Sequence, residues 1–167
     1  MSEASDALFK KLAAEIGIDF SQEVQSMHRY ELAIGRDREV HVSGHLPRLR
    51  GAVAVSGRIG AGVTLEEARR AARLGTIRAL AALRQHLGSL SRVGHLRVLG
   101  EALGALKVDR QAQHLADAAS DLLHAVLQDA AGHARTVVGV HQLPENAAVQ
   151  VDLVVAAGEP EAGYSTF

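Results

Sequence analysis

The chain has 167 residues and a mass of 17.7 kDa, a length that predicts one domain able to bury a real core. Its 18 Lys and Arg against 19 Asp and Glu leave a formal charge of −1, which argues against a nucleic-acid binder held by bulk charge. The absence of Cys excludes disulfides, thiolate nucleophiles and Cys-ligated metal centres.

With 47% hydrophobic residues but only 3% aromatics, the core has to be built from Ala, Leu and Val. Residues 1–20 hold Lys10 and Lys11 among acidic residues and no long apolar run, so neither a secretory signal nor a membrane span is expected there. A soluble cytoplasmic chain without a membrane partner is the expectation.

Leu8, Leu12 and Ile16 recur at helical spacing before Gly17, predicting a short amphipathic helix over residues 5–16. Residues 30–34 and 39–43 flank Gly35-Arg36-Asp37-Arg38, a connection of hairpin length, and predict two antiparallel strands. A brief strand follows over 51–55. Gly57, Gly60 and Gly62 then mark a loop that lacks both the Walker Lys-Ser/Thr and dinucleotide spacing, so it reads as a connection rather than a phosphate cradle.

Thr64 with Glu67 three residues later is a capping-box pattern, and it starts a long helix that runs to Leu87 before Gly88. Ala68, Ala72, Gly75, Ala79 and Ala82 form a small-residue stripe that lets this helix lie close to a sheet. Arg69, Arg70, Arg73 and Arg84 are left to face water, a solvated face rather than an RNA site. Residues 91–103 predict a strand, 111–128 a second helix, and 135–140 and 147–156 two further strands; the tail from 158 to 167 reads as loose. Helices covering one sheet face leave a Val- and Ala-rich face that needs burial, and oligomerisation is the economical answer.

The run His133-Ala134-Arg135-Thr136-Val137-Val138-Gly139-Val140, then Leu143-Pro144, then Ala148-Val149-Gln150-Val151-Asp152 resembles the C-terminal signature of the RidA/YjgF family, also called endoribonuclease L-PSP-like proteins. Val42-Ser43-Gly44-His45-Leu46-Pro47 resembles that family's strand-end motif. The resemblance spans roughly residues 30–156. It implies an α+β, chorismate-mutase-like fold: a mixed sheet with two main helices on one face, assembled as a homotrimer with ligand clefts between subunits. The extra N-terminal helix resembles a longer subgroup and divides the chain into a helical extension (1–27), a RidA-like domain (28–157) and a tail (158–167).

The resemblance also implies a reaction, hydrolysis of enamines or imines of amino acids to 2-keto acids and ammonia. Arg135 matches the arginine that grips the substrate carboxylate, a role suited to a planar and permanently charged guanidinium. Tyr30 stands thirteen residues before Ser43, the offset of the family's cleft tyrosine, and Ser43, Gly44 and the Val137 backbone would line the cleft. Gln150 departs from the pattern, because deaminating members carry Glu there and an amide cannot take up a proton as a carboxylate does. Asp152 points to the same strand face, about 7 Å along, and is a secondary candidate.

Each residue also has a structural reading: Arg135 as an interfacial ion-pair residue, Tyr30 as a core tyrosine, Gln150 as a polar interface residue. The nine His include no HExxH, and His41 and His45, about 13 Å apart along a strand, lack ligand spacing; surface or interface histidines are expected, with no metal or cofactor. Two functions remain open, a trimeric binder of small carboxylates with altered activity on imines, and a regulatory or structural trimer with vestigial clefts.

Overall fold

The structure, a computed structural model, describes residues 2–20, 24–26, 29–103 and 111–158. In chain order the elements are α1 (Ser2–Ile16), β1 (Ala33–Arg36), β2 (Glu39–His45), β3 (Arg48–Leu49), β4 (Ala52–Val53), α2 (Leu65–Leu87), β5 (Val93–Leu103), α3 (Gln111–Leu127), β6 (His133–Val140) and β7 (Val149–Ala157). Five strands form one mixed sheet in the order β1-β2-β7-β5-β6, in which β5 and β6 run parallel and the other neighbours antiparallel. The short β3 and β4 make a separate ribbon. The expected boundary at residues 27 and 28 and the tail residues 159–167 lie outside the described residues.

Helix α2 forms where the capping box predicts it. The Thr64 hydroxyl accepts from the Glu67 backbone N–H, and the Glu67 carboxylate accepts from the Thr64 backbone N–H at 2.8 Å. Thr64→Ala is expected to cost about 1 kcal/mol, read as a lower urea midpoint. An unchanged midpoint would mean that solvent replaces the cap without loss.

The small-residue stripe of α2 is buried as expected. At Gly75 an added Cβ would lie 3.0 Å from the His45 carbonyl oxygen and 3.1 Å from Val151 Cγ2, so α2 meets β2 and β7 at backbone distance. Leu122, Leu123 and Val126 of α3 bury beside it, and both helices cover one face of the sheet. Among the described residues no helix is long and apolar enough to cross a membrane.

Four sequence expectations are corrected. In α1 the buried line is Ser5, Phe9 and Ala13, while Leu8, Leu12 and Ile16 lie half-buried beside it. The Asp6 carboxylate of α1 accepts from Arg84 Nε, Ser89 Oγ and the Leu90 N–H, so Arg84 anchors the N-terminal helix instead of facing water alone. The first hairpin begins at Ala33, and its turn is Asp37-Arg38, with Asp37 at φ +57°; Tyr30 therefore precedes the strand.

The fourth correction concerns the open face of the sheet. Register places Gln150, Glu101 and Val138 in one row across that face, Asp152, Leu99 and Thr136 in the next, and His41, Val154, Arg97 and Ala134 in the one after. This face is mixed polar rather than Val- and Ala-rich. Bulges between Val42 and His45 in β2 and between Val93 and Leu96 in β5 reset the alternation, which simple period-two counting cannot anticipate.

Candidate functional site

The end of β2 shapes a cavity of about 410 Å³ whose walls include Tyr30, Gly44, His45, Arg48, Arg78 and Gln150. Gly44 sits here for a steric reason, since a Cβ at that position would collide with the Gln150 amide. Gln150 is thereby held against the β2 backbone, and its Nε2 donates to Glu101 Oε2 across the sheet at 2.9 Å. Ser43 is occupied by local structure, its hydroxyl donating to the Glu31 carbonyl at 2.7 Å. Tyr30 is 49% exposed, which removes the core-tyrosine reading.

Glu101 is a carboxylate that motif reading missed. It faces Gln150 through strand pairing between residues far apart in the chain, and only the register reveals it. One row along, burial and the charge of Glu101 push the Asp152 carboxyl up to about 6, against an opposing hydrogen bond from Gln150. A carboxyl titrating near 6 can hold or release a proton close to neutrality, the property an acid–base group needs.

Arg135 is elsewhere. It lies in the row of Leu153 and Val98, on the helix-covered face, and β6 is two strand spacings, about 10 Å, from β7. Its NH1 donates to Asp117 Oδ1 at 2.9 Å and to Ser120 Oγ at 3.1 Å, and its NH2 donates to Gln113 Oε1 at 3.0 Å. Three of a guanidinium's five N–H donors are thus spoken for within the chain, which leaves two. Val137 shares that face, two residues along β6. One copy of the chain therefore brings Tyr30, Gly44 and Gln150 together and keeps Arg135 and Val137 apart from them, at another edge and on the opposite face.

A family model described as "YjgF/chorismate_mutase-like, putative endoribonuclease" matches residues 11–157. The chain belongs to this YjgF/chorismate-mutase-like family. The Trypanosoma cruzi protein TCP17 is 36% identical over 118 residues, which is 70% of this chain and 74% of that protein. A crystal structure of Atu1372, a protein of unknown function from Agrobacterium tumefaciens, aligns with a TM-score of 0.78 at 28% identity, covering 93% of each chain. Escherichia coli TdcF, solved with bound serine, shares the fold at a TM-score of 0.56 and 14% identity, covering 80% of this chain and 92% of that one. The α+β YjgF fold expected from the motifs is the fold found.

The histidines divide by environment. His41 pairs with Glu39 at 2.7 Å on the surface, and His133 sits between Ser120 Oγ and the Ala131 carbonyl. His45 corrects the surface expectation, being only 5% exposed with an Nε2 that has no hydrogen-bond partner among the described residues. Among the described residues no group of three His, Asp or Glu is placed to hold a metal ion.

Proposed function

We propose that this YjgF-family protein binds small 2-keto or 2-imino carboxylates in clefts formed between the copies of a homotrimer. In this reading Arg135 and the Val137 backbone of one copy face Tyr30, Ser43, Gly44 and Gln150 of the next. The observation that carries it is the division of the motif residues: the cavity holds the tyrosine, glycine and glutamine but no Arg135, so only a second copy can complete the set. TdcF with its bound serine supports a small amino-acid-like ligand for the fold.

Arg135 uses its remaining donors on the ligand carboxylate, while Asp117, Ser120 and Gln113 fix the guanidinium plane. Imine hydrolysis adds water across the C=N bond and expels ammonia, leaving the 2-keto acid. With an amide at Gln150 that water lacks its usual carboxylate, and the acid–base work falls to Glu101 or Asp152, or is not done. Wild-type turnover is accordingly expected at or near background.

The second reading, a non-catalytic trimer with vestigial clefts, draws on the same ion pair, because Asp117 already offsets the charge of Arg135. Titration calorimetry with 2-ketobutyrate, pyruvate and benzoate, alongside light scattering for three chains of 17.7 kDa, separates the two. The expected result is one ligand per chain and at least a roughly thirtyfold loss of affinity in Arg135→Ala, the scale of a truncated charge-assisted pair. Absence of binding, or binding that Arg135→Ala leaves unchanged, favours the second reading.

A further inference from the structure

The half-buried arginines of this chain mostly have counter-ions or carbonyls to hold. Arg48 pairs with Glu145, Arg84 with Asp6 and Arg135 with Asp117. Arg78 differs. It projects from α2 one turn beyond Gly75, where the helix touches the His45 carbonyl, and it lines the same cavity as Gln150. No hydrogen bond or ion pair joins Arg78 to any described residue, and the charge nearest in effect is the like charge of Arg48.

His45 adds an independent sign. Its side chain is buried in the wall of that cavity, and its Nε2 has no partner among the described residues. Burial and the neighbouring Arg78 push its pKa down to about 4, so at neutral pH the imidazole is uncharged and can offer one N–H without adding a charge. Among the described residues the guanidinium has no counter-ion and the buried ring nitrogen no partner, and both are costly unless a ligand completes them. The two lie in one cavity, and the group that satisfies both is an anion able to accept from each.

Because the proposed cleft already assigns one carboxylate to Arg135, the anion at Arg78 is a second one. We infer that Arg78, assisted by His45, forms a second carboxylate subsite in the Tyr30–Gln150 cavity, so that the preferred ligands are 2-keto or 2-imino dicarboxylates. This inference rests on the carboxylate-binding reading above. A planar carboxylate suits the side-by-side donors of a guanidinium, and a cavity of about 410 Å³ has room for a short dicarboxylate chain.

The test compares 2-oxoglutarate with 2-ketobutyrate on the full-length protein by calorimetry, in wild type, Arg78→Gln, Arg78→Lys and Arg135→Ala. Wild type is expected to bind 2-oxoglutarate at least tenfold more tightly. Arg78→Gln should erase that preference and leave 2-ketobutyrate within twofold of wild type, with Arg78→Lys keeping part of it. Melting curves of the unliganded variants establish that each is folded, and with its uncompensated charge removed Arg78→Gln should melt no lower than wild type. If 2-ketobutyrate binds through Arg135 and 2-oxoglutarate binds no better, the second subsite is overturned and the cleft reading stands. Should Arg78→Gln abolish both ligands while Arg135→Ala abolishes neither, Arg78 is the sole carboxylate residue and both assignments are overturned. Failure of wild type to bind either compound removes the cleft reading itself.

Discussion

Exchanging the two partners of the Gln150–Glu101 hydrogen bond is expected to raise imine hydrolysis by roughly 10²- to 10³-fold, within the range that a positioned acid–base group contributes. The single change Gln150→Glu puts a carboxylate at the position where the motif resemblance implies one. It also sets that carboxylate directly across the strands from Glu101 and one row from Asp152, which already sits up to about 6. Three carboxyl groups in so small a patch cannot all ionise near neutrality, so they titrate as a coupled set and the fold loses stability. Activity in the single variant should therefore rise less than the chemistry allows, with a more alkaline pH optimum.

The double variant, Gln150→Glu with Glu101→Gln, avoids this. It keeps one amide and one carboxylate in the row and rebuilds the cross-strand hydrogen bond in the opposite direction, with the carboxylate now on the cavity side. Ammonia released from a 2-aminoacrylate generator measures the gain, and light scattering with melting curves shows whether assembly and stability match wild type. A folded double variant that releases no more ammonia than wild type means that water is not activated at position 150. Wild-type release well above background would show that Glu101 or Asp152 already supplies the proton transfer, and Glu101→Gln and Asp152→Asn would then tell which.

How much of this was legible in the sequence follows from the range of each signal. Helix α2 was readable to its ends because its cues are local: a capping box four residues long, a small-residue stripe and a closing glycine. Arg135, Gln150 and Gly44 were readable as motif positions, and the structure supplies the physical reason for the glycine. Glu101 was not readable, because its opposition to Gln150 depends on a strand register between β5 and β7, 49 residues apart. Asp117 was missed for a similar reason, since α3 must fold back over β6 before it can reach Arg135.

Arg78 had a signal that went unused. It lies three residues beyond Gly75, on the edge of the buried stripe, whereas Arg70, on the other side of α2, is exposed. The reading of Arg69, Arg70, Arg73 and Arg84 as a solvated face left Arg78, whose surroundings are the most unusual, without an assignment. Tyr30 was placed in the cleft by its offset alone; it stands before the strand rather than in it, and lines the cavity beside Gly44 and Gln150.

Between pH 4 and 6.5 the stability of the fold is expected to carry two opposed slopes, and removing one should expose the other. His45 has a folded pKa of about 4 against an ordinary 6.5, so over that window the folded chain binds fewer protons than the unfolded chain and stability rises with pH. At full weight this amounts to ~3 kcal/mol, lost as pH falls from 6.5 through 4. Asp152 runs the other way: its folded pKa of about 6 exceeds the ordinary 3.8, so the folded chain holds a proton longer and stability falls as pH rises from 3.8 through 6. Asp152 is only half-buried, and solvent screening makes its slope the smaller one. Wild type should thus lose modest stability on acidification from 6.5 to 4. Asp152→Asn, which removes the compensating slope while keeping the shape of the side chain, should lose ~3 kcal/mol over the same interval. Urea midpoints at fixed protein concentration and pH 4, 5 and 6.5 measure both. An anion seated between His45 and Arg78 favours the protonated imidazole. A saturating dicarboxylate should raise the His45 pKa and flatten the acid limb of Asp152→Asn. If that limb is already flat without ligand, His45 is not buried as the neutral ring.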